Sequence, residues 1–403
     1  MSGTRLVTAV LALIAVLAAL TLAAGPAAAA TPRAQRAVPQ GFVGTVADGP
    51  VFPDTDNHIN LGRQLDVMVA SGVESVRVVF DWAQAQPYSS WSDVPAAEAR
   101  QFVDEDGIPT RFAAPDQIVG LAAQRGLTVL PIVIDAPPWD AAPKQSAVEA
   151  NPRSVYWYGQ FAKELAARYG PHGSFWATHS PKVPITMWQI WNEPDLTMFW
   201  PAQPFARSYV TMLAAARRAI RSADPKAKIL LGGLTNYSWN DLAQIYKVKG
   251  AASLFDVVAI HPYTKTPSGV IKILGLVRSV MNAHGDGQKP LLADEVSWPS
   301  SRGSANDHSG FSFSTTEAQQ ASDLSQVLPL LAANRIRLRL AGFYYYDWAS
   351  VEMATGPSFS YAGLFRYVNG RFVAKPAFAA FKRAALALEH CRAKQRATSC
   401  RNG

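Results

Sequence analysis

The sequence predicts an α/β protein, a (β/α)8 TIM barrel built as a single domain, and three observations carry that prediction. Eight short β-rich runs alternate with helical patterns over about 350 residues, the order expected of a sheet wrapped by helices. Most of the runs are near-continuously apolar, as parallel strands covered by helices are. None is followed by a glycine-rich nucleotide loop, which weighs against the rival, a doubly wound open sheet. No Ser/Gly linker or internal repeat divides the span, and barrels of this size occur as one domain.

In chain order the predicted strands are GFVGTVA (41–47), SVRVVFDW (75–82), LTVLPIVI (127–134), ITMWQIWN (185–192), KILLGGL (228–234), FDVVAIHPY (255–263), PLLADEVSW (290–298) and LAGFYYYDW (340–348). Helical patterns fall near 59–71, 116–125, 154–170, 205–222, 268–284, 315–333 and 376–390. The segment 154–170 shows why: Val155, Tyr158, Phe161, Leu165 and Tyr169 recur at helical spacing, and Gly170 stops the pattern.

The two ends differ from this body. Residues 1–30 read as a secretory signal peptide: Arg5, then the apolar core LVTAVLALIAVLAALTLA, then small residues that place cleavage after Ala30. An uncleaved anchor is the alternative, since the apolar run is about long enough to span. Residues 31–40 form a linker, 41–388 the barrel and 389–403 a basic tail. Of the net charge of +8, residues 1–36 supply +3 and residues 381–403 supply +5. The body is therefore neutral, which argues against a nucleic-acid groove. A solvated tail is the simplest reading, with weak contact to an anionic cell envelope as the alternative. The two cysteines, Cys391 and Cys400, are expected to pair outside the cell and to staple that tail only. Seven histidines show no ligand spacing, so no metal and no cofactor is expected.

In a barrel of this kind the chemistry sits at the C-terminal ends of the strands. Arg77 and Asp81 lie in the second strand, and Asn192-Glu193 end the fourth. His261 and Tyr263 end the sixth, Asp294, Glu295 and Trp298 lie in the seventh, and Trp348 ends the eighth. Glu193 and Glu295 each close an apolar run beside tryptophan. Two glutamates at opposed strand ends can cleave a glycosidic bond, one as an acid with a raised pKa and one as an ionised nucleophile.

The motifs IWNEP and DEVSW, supported by VRVVFDW, HPY and the closing GLFRYVNGRFVAKPAFAAF, resemble the retaining clan A glycoside hydrolases, particularly families 39 and 5, over residues 41–385. The resemblance implies roles residue by residue. Glu193 would be the general acid/base, and Asn192 would hold the sugar 2-hydroxyl. Glu295 would be the nucleophile, held by Arg77 and Tyr263. His261 would line the glycone subsite, with Trp348 as its stacking floor and Trp298 beside the nucleophile. The implied function is a secreted retaining hydrolase of a poly- or oligosaccharide. A non-catalytic carbohydrate-binding protein on a degenerate barrel is the alternative.

Asp294 departs from this pattern. Neighbours on a strand point to opposite faces, so only one of Asp294 and Glu295 is expected at the mouth. Glu295 is favoured and Asp294 is kept as the alternative nucleophile. Tyr88, Trp91, Trp139, Phe199 and Trp200 are candidates for outer subsites. Each singled-out residue also has a structural alternative, as an ion-pair partner, a core histidine or plain packing.

Overall fold

The computed structural model describes residues 36–53, 59–143, 148–235, 237–303, 313–353 and 358–401. The expected signal peptide and the start of the linker lie outside the described residues. Among the described residues no helix is long and apolar enough to cross a membrane.

All eight predicted strands form: β1 Val43–Val46, β2 Ser75–Asp81, β3 Thr128–Ile134, β4 Met187–Ile190, β5 Lys228–Leu231, β6 Val258–Ile260, β7 Leu291–Val296 and β8 Leu340–Tyr345. They are hydrogen-bonded in the order β5-β4-β3-β2-β1-β8-β7-β6, and every pair is parallel. Bridges Leu230↔Val257 and Leu234↔Ile260 join the two ends and close the barrel. Among the described residues eight helices of nine or more residues surround it: α1 Leu61–Ala70, α2 Ala113–Arg125, α3 Val155–Tyr169, α4 Phe205–Ala223, α5 Ser238–Tyr246, α6 Pro267–Ala283, α7 Glu317–Leu338 and α8 Pro376–Leu388.

Local chemistry sets several of these ends. The Asn60 side chain caps α1 through the Arg63 amide, and Thr266 caps α6 ahead of Pro267. Gly126 ends α2 in the left-handed conformation, at φ 71°. Helix α5 is not among the sequence-predicted helices, because its nine residues give too short a period to read.

The core has two layers. Between sheet and helices lies a continuous apolar cluster that includes Trp82, Tyr158, Phe161, Trp188 and Leu213. Inside the barrel Val46, Leu130, Leu230, Ala259, Leu292 and Tyr344 form a separate plug. The barrel is thus filled with side chains and is not a pore. Arg77 from β2 and Gln189 from β4 are also fully buried there.

The C-terminal tail is folded and anchored to the barrel, although Arg392, Arg396 and Arg401 remain exposed. Residues Ala393–Arg396 and Ser399–Arg401 pair as a hairpin, closed by the Cys391–Cys400 disulfide. The hairpin docks on the N-terminal end of the barrel, where the Ala397 amide donates to the Arg125 carbonyl at 2.8 Å. Lys394, 4% exposed, bonds Glu74 at 2.8 Å and also Glu389. Arg36 reaches Glu74 at 2.8 Å from the other side. A buried lysine is sustained only by such partners, so the segment predicted as a basic tail is part of the barrel base.

Candidate active site

The C-terminal strand ends surround a cavity of about 490 Å³ that contains both predicted glutamates. Glu193 sits just past β4 on a distorted backbone: Trp191 and Glu193 both adopt positive φ, 68° and 44°. Non-glycine residues in that region cost about 1–3 kcal/mol each and cluster at functional sites. The distortion lets the Trp191 indole pack on Trp200 while Asn192 and Glu193 both reach the cavity.

The nucleophile candidate is held at both oxygens. Arg77 Nη1 donates to Glu295 Oε1 at 2.6 Å, and the Tyr263 hydroxyl donates to Oε2 at 2.6 Å. Arg77 also donates through Nε to Gln189 at 2.8 Å and through Nη2 to Asn192 Oδ1 at 2.8 Å. Tyr263 itself is pushed well above its ordinary pKa by burial and by Glu295, so it remains a donor.

Glu193 differs. Its Oε1 lies 2.7 Å from His261 Nδ1. Burial raises its pKa to about 7, against the downward pull of His261 and with a further upward push from Glu295. Burial would lower His261, but the Glu295 and Asp294 carboxylates more than offset it and bring it to about 10. His261 therefore does not line the cavity as predicted. It is buried behind the two glutamates and touches Glu193 directly. Gly233 makes room for it, since a β-carbon there would meet His261 Nε2 at 2.0 Å.

Strand alternation does not separate Asp294 from Glu295. The β7–β8 register shifts between Ala293↔Phe343 and Val296↔Tyr345, and this irregularity turns both acids inward. Asp294 is fully buried, with Oδ2 at 2.5 Å from Gln189 Nε2, 3.3 Å from Arg77 Nε and 3.4 Å from His261 Nε2. It does not line the cavity, whereas Glu295 does.

Both predicted tryptophans are corrections. Trp348 is fully buried outside the cavity, its indole nitrogen on Gln64 at 3.1 Å and its ring on Phe365 and Phe378. Trp298 is 1% exposed and does not line the cavity either. Strand β8 ends at Tyr345, so the alternation that would carry Trp348 to the mouth has already stopped. The aromatic wall comes instead from Phe313, Tyr263, Phe359 and Tyr346, which touch in that order at centroid distances of 4.9–5.7 Å. Tyr346 was within reach of the sequence: it lies two residues beyond the interior Tyr344. Phe313 and Phe359 come from loops and left no periodic signal.

Of the outer-subsite candidates only Phe199 lines the cavity. Trp139 bonds the Gln86 carbonyl, Tyr88 bonds Glu98 and Trp91 bonds Asp104. Asp81 caps a short helix through the Gln84 amide.

Atoms of Glu193, His261 and Glu295 suited to hold a metal come within 4.8 Å of one another. The His261 ring faces Glu193 Oε1 through Nδ1 and Asp294 Oδ2 through Nε2, so both of its nitrogens are engaged and it is not free to act as a ligand.

These features define a (β/α)8 barrel whose mouth carries a pair of buried glutamates in unequal settings. Solved structures similar to it are glycoside hydrolases. One is a family 39 enzyme from Bacteroides cellulosilyticus WH2, with TM-score 0.61 at 17% identity, covering 87% of this chain and 64% of that one. A monomeric β-xylosidase from Caulobacter crescentus CB15 matches with TM-score 0.59 at 18% identity, covering 87% and 69%. The family 53 catalytic domain from Ignisphaera aggregans matches with TM-score 0.54 at 19% identity, covering 85% and 95%. This chain thus spans less than two thirds of the Bacteroides enzyme. No protein-family model and no curated protein matches the sequence. The likeness to family 39 expected from the motifs holds at the level of the fold.

Proposed function

We propose that this chain is a secreted glycoside hydrolase that cleaves β-linked pyranosides of a poly- or oligosaccharide with retention. The observation that carries the proposal is the spacing and inequality of the two glutamates. Oxygens of Glu193 and Glu295 lie within 4.8 Å, close to the roughly 5–5.5 Å of double displacement and short of the roughly 6.5–9.5 Å that inversion needs.

In the first step Glu295 attacks the anomeric carbon while Glu193 delivers its proton to the departing oxygen. Arg77 and Tyr263 hold Glu295 aimed, and the burial that lifts Glu193 to about 7 lets it hold a proton near neutrality. In the second step Glu193, now ionised, takes a proton from water, which attacks the glycosyl-enzyme on the face opposite Glu295. Asn192 uses its Oδ1 on Arg77, leaving its amide N–H groups for a sugar hydroxyl. The wall of Tyr263, Phe313, Phe359 and Tyr346 suits the apolar C–H face of a sugar ring.

The test is a panel of polysaccharides and aryl glycosides with the first-formed anomer followed by proton NMR. Retained products from β-linked substrates are expected. An inverted first product, or cleavage of α-linked pyranosides only, would overturn the mechanism, and a chain that binds glycans without cleaving any would be the binding-protein alternative. Secretion rests on residues 1–30 alone; mass spectrometry of exported protein is expected to find Thr31 at the N-terminus.

A further inference from the structure

We propose that Asp294 is a positioning residue for the Glu193 carboxyl, acting on it through the His261 ring. The kinetic consequence rests on the glycosidase reading, while the coupling itself does not.

The three groups form a line: Asp294 Oδ2 to His261 Nε2 at 3.4 Å, then His261 Nδ1 to Glu193 Oε1 at 2.7 Å. Every other charged or titratable neighbour of the imidazole is accounted for. Glu295 Oε2 lies 3.5 Å from Nδ1, Arg77 Nη2 lies 3.5 Å from Nε2, the Tyr263 ring packs at 6.1 Å, and Asp195 feels the His261 charge. Arg77 carries only donors, so Asp294 is the acceptor available to the Nε2 proton. The far end of the line is itself fixed. Gln189 Nε2 donates to Asp294 Oδ2 at 2.5 Å and to the Leu231 carbonyl at 3.1 Å, which ties the carboxylate to β4 and β5.

Asp294 also faces Arg77, at 3.3 Å from Nε. Arg77, however, keeps Glu295, Gln189 and Asn192 at 2.6–2.8 Å without it. The imidazole keeps Glu193 and Glu295 beside Nδ1, but at Nε2 none of these neighbours other than Asp294 is an acceptor. Loss of the Asp294 charge therefore falls on His261 and hence on Glu193, and leaves Glu295 aimed. With the charge present, His261 carries protons on both nitrogens near neutrality. It presents Nδ1–H to Glu193 Oε1 and so leaves Oε2 to carry the catalytic proton. This is the logic of a carboxylate that orients a histidine, turned here toward an acid instead of a nucleophile.

The experiment compares Asp294→Asn with the unaltered chain in two arms. In the first, 15N-histidine NMR follows the His261 ring nitrogens through a pH titration, the signals being assigned with His261→Gln. The titration midpoint is expected to fall in Asp294→Asn; an unchanged midpoint overturns the coupling. This arm needs no substrate, so it reads the proposal even if no glycoside is cleaved, a result that would sink the glycosidase reading alone.

The second arm measures kcat/KM on two glycosides of one sugar, one with an alkyl and one with a dinitrophenyl leaving group. The alkyl glycoside is expected to lose about ten- to a hundredfold and the dinitrophenyl glycoside less than about threefold, because only the first needs the acid. Asp294→Asn added to Glu193→Gln should cost almost nothing further. Equal losses on both substrates, or a full additional loss in the Glu193→Gln background, would mark Asp294 as merely structural.

Discussion

Two buried ion clusters sit at opposite ends of the same barrel. At the base, two cations, Arg36 and Lys394, face two carboxylates, Glu74 and Glu389. At the mouth, two cations, Arg77 and His261, face three carboxylates, Asp294, Glu295 and Glu193. The base cluster balances its charges and holds the C-terminal hairpin and the entering chain to the start of β2. The mouth cluster carries one carboxylate too many for its cations. It reaches neutrality when Glu193 keeps a proton, the state an acid catalyst needs. Similar residue types thus make a staple at one end and a proton donor at the other, the difference being one acidic group and the open cavity beside it.

The largest expected effect would sharpen this contrast at the mouth. Glu295→Ala should be nearly inactive on every substrate, yet folded, because Arg77 retains Asp294, Gln189 and Asn192. Glu193→Ala should lose roughly 10²–10⁴-fold on poor leaving groups and far less on dinitrophenyl glycosides. Azide should rescue both, giving the β-glycosyl azide from Glu193→Ala and the α-anomer from Glu295→Ala. The opposite pairing of anomers would mean the roles are exchanged.

At the base the effect should be on stability alone. Lys394→Met leaves Arg36 as the one cation for both Glu74 and Glu389, and loss of one partner from such a buried cluster costs about 3–5 kcal/mol. Denaturant unfolding should register the loss while kcat/KM stays unchanged. A fall in activity without a fall in stability would break the comparison.

A pH profile reads the mouth directly. Glu193 must be protonated to act, and its pKa is raised from the ordinary 4.5 to about 7, so kcat/KM on poor leaving groups should fall as pH rises through about 7. The sign for stability follows. The folded chain holds this proton more tightly than the unfolded chain, so Glu193 contributes stability that is present below about 4.5 and lost as pH rises through about 7. Glu193→Gln should remove the alkaline limb; a limb that stays in place belongs to another group.

The smallest effect belongs to the disulfide, which joins cysteines only nine residues apart. Its reduction should cost about 3 kcal/mol or less and leave activity unchanged, because Lys394 and Arg36 still hold the hairpin.

Much of this was legible before any coordinates. The strands read as apolar runs because parallel strands are covered on both faces, and Glu193, Glu295, Arg77, Asn192 and Tyr263 read as site residues because each lies in or just past such a run. Trp298 and Trp348 misled for a related reason. They sit in the same runs, but beyond the residues that pair, where alternation no longer says which way a side chain points. The tail read as solvated because its charges are local, whereas Glu74, the partner of Lys394, lies 320 positions away.

The sequence by itself determined the barrel and the placing of two glutamates at its strand ends, because periodicity and strand ends are local properties of a chain. Tertiary structure alone decided that Asp294 and Glu295 both turn inward, since the register shift in β7 depends on its pairing with β8. It also decided that the two glutamates sit in different settings, Glu193 raised by burial and Glu295 held by a donor at each oxygen. That difference comes from burial beside His261 on one side and from Arg77 and Tyr263 donating on the other. Both arise from residues that meet only when the barrel closes.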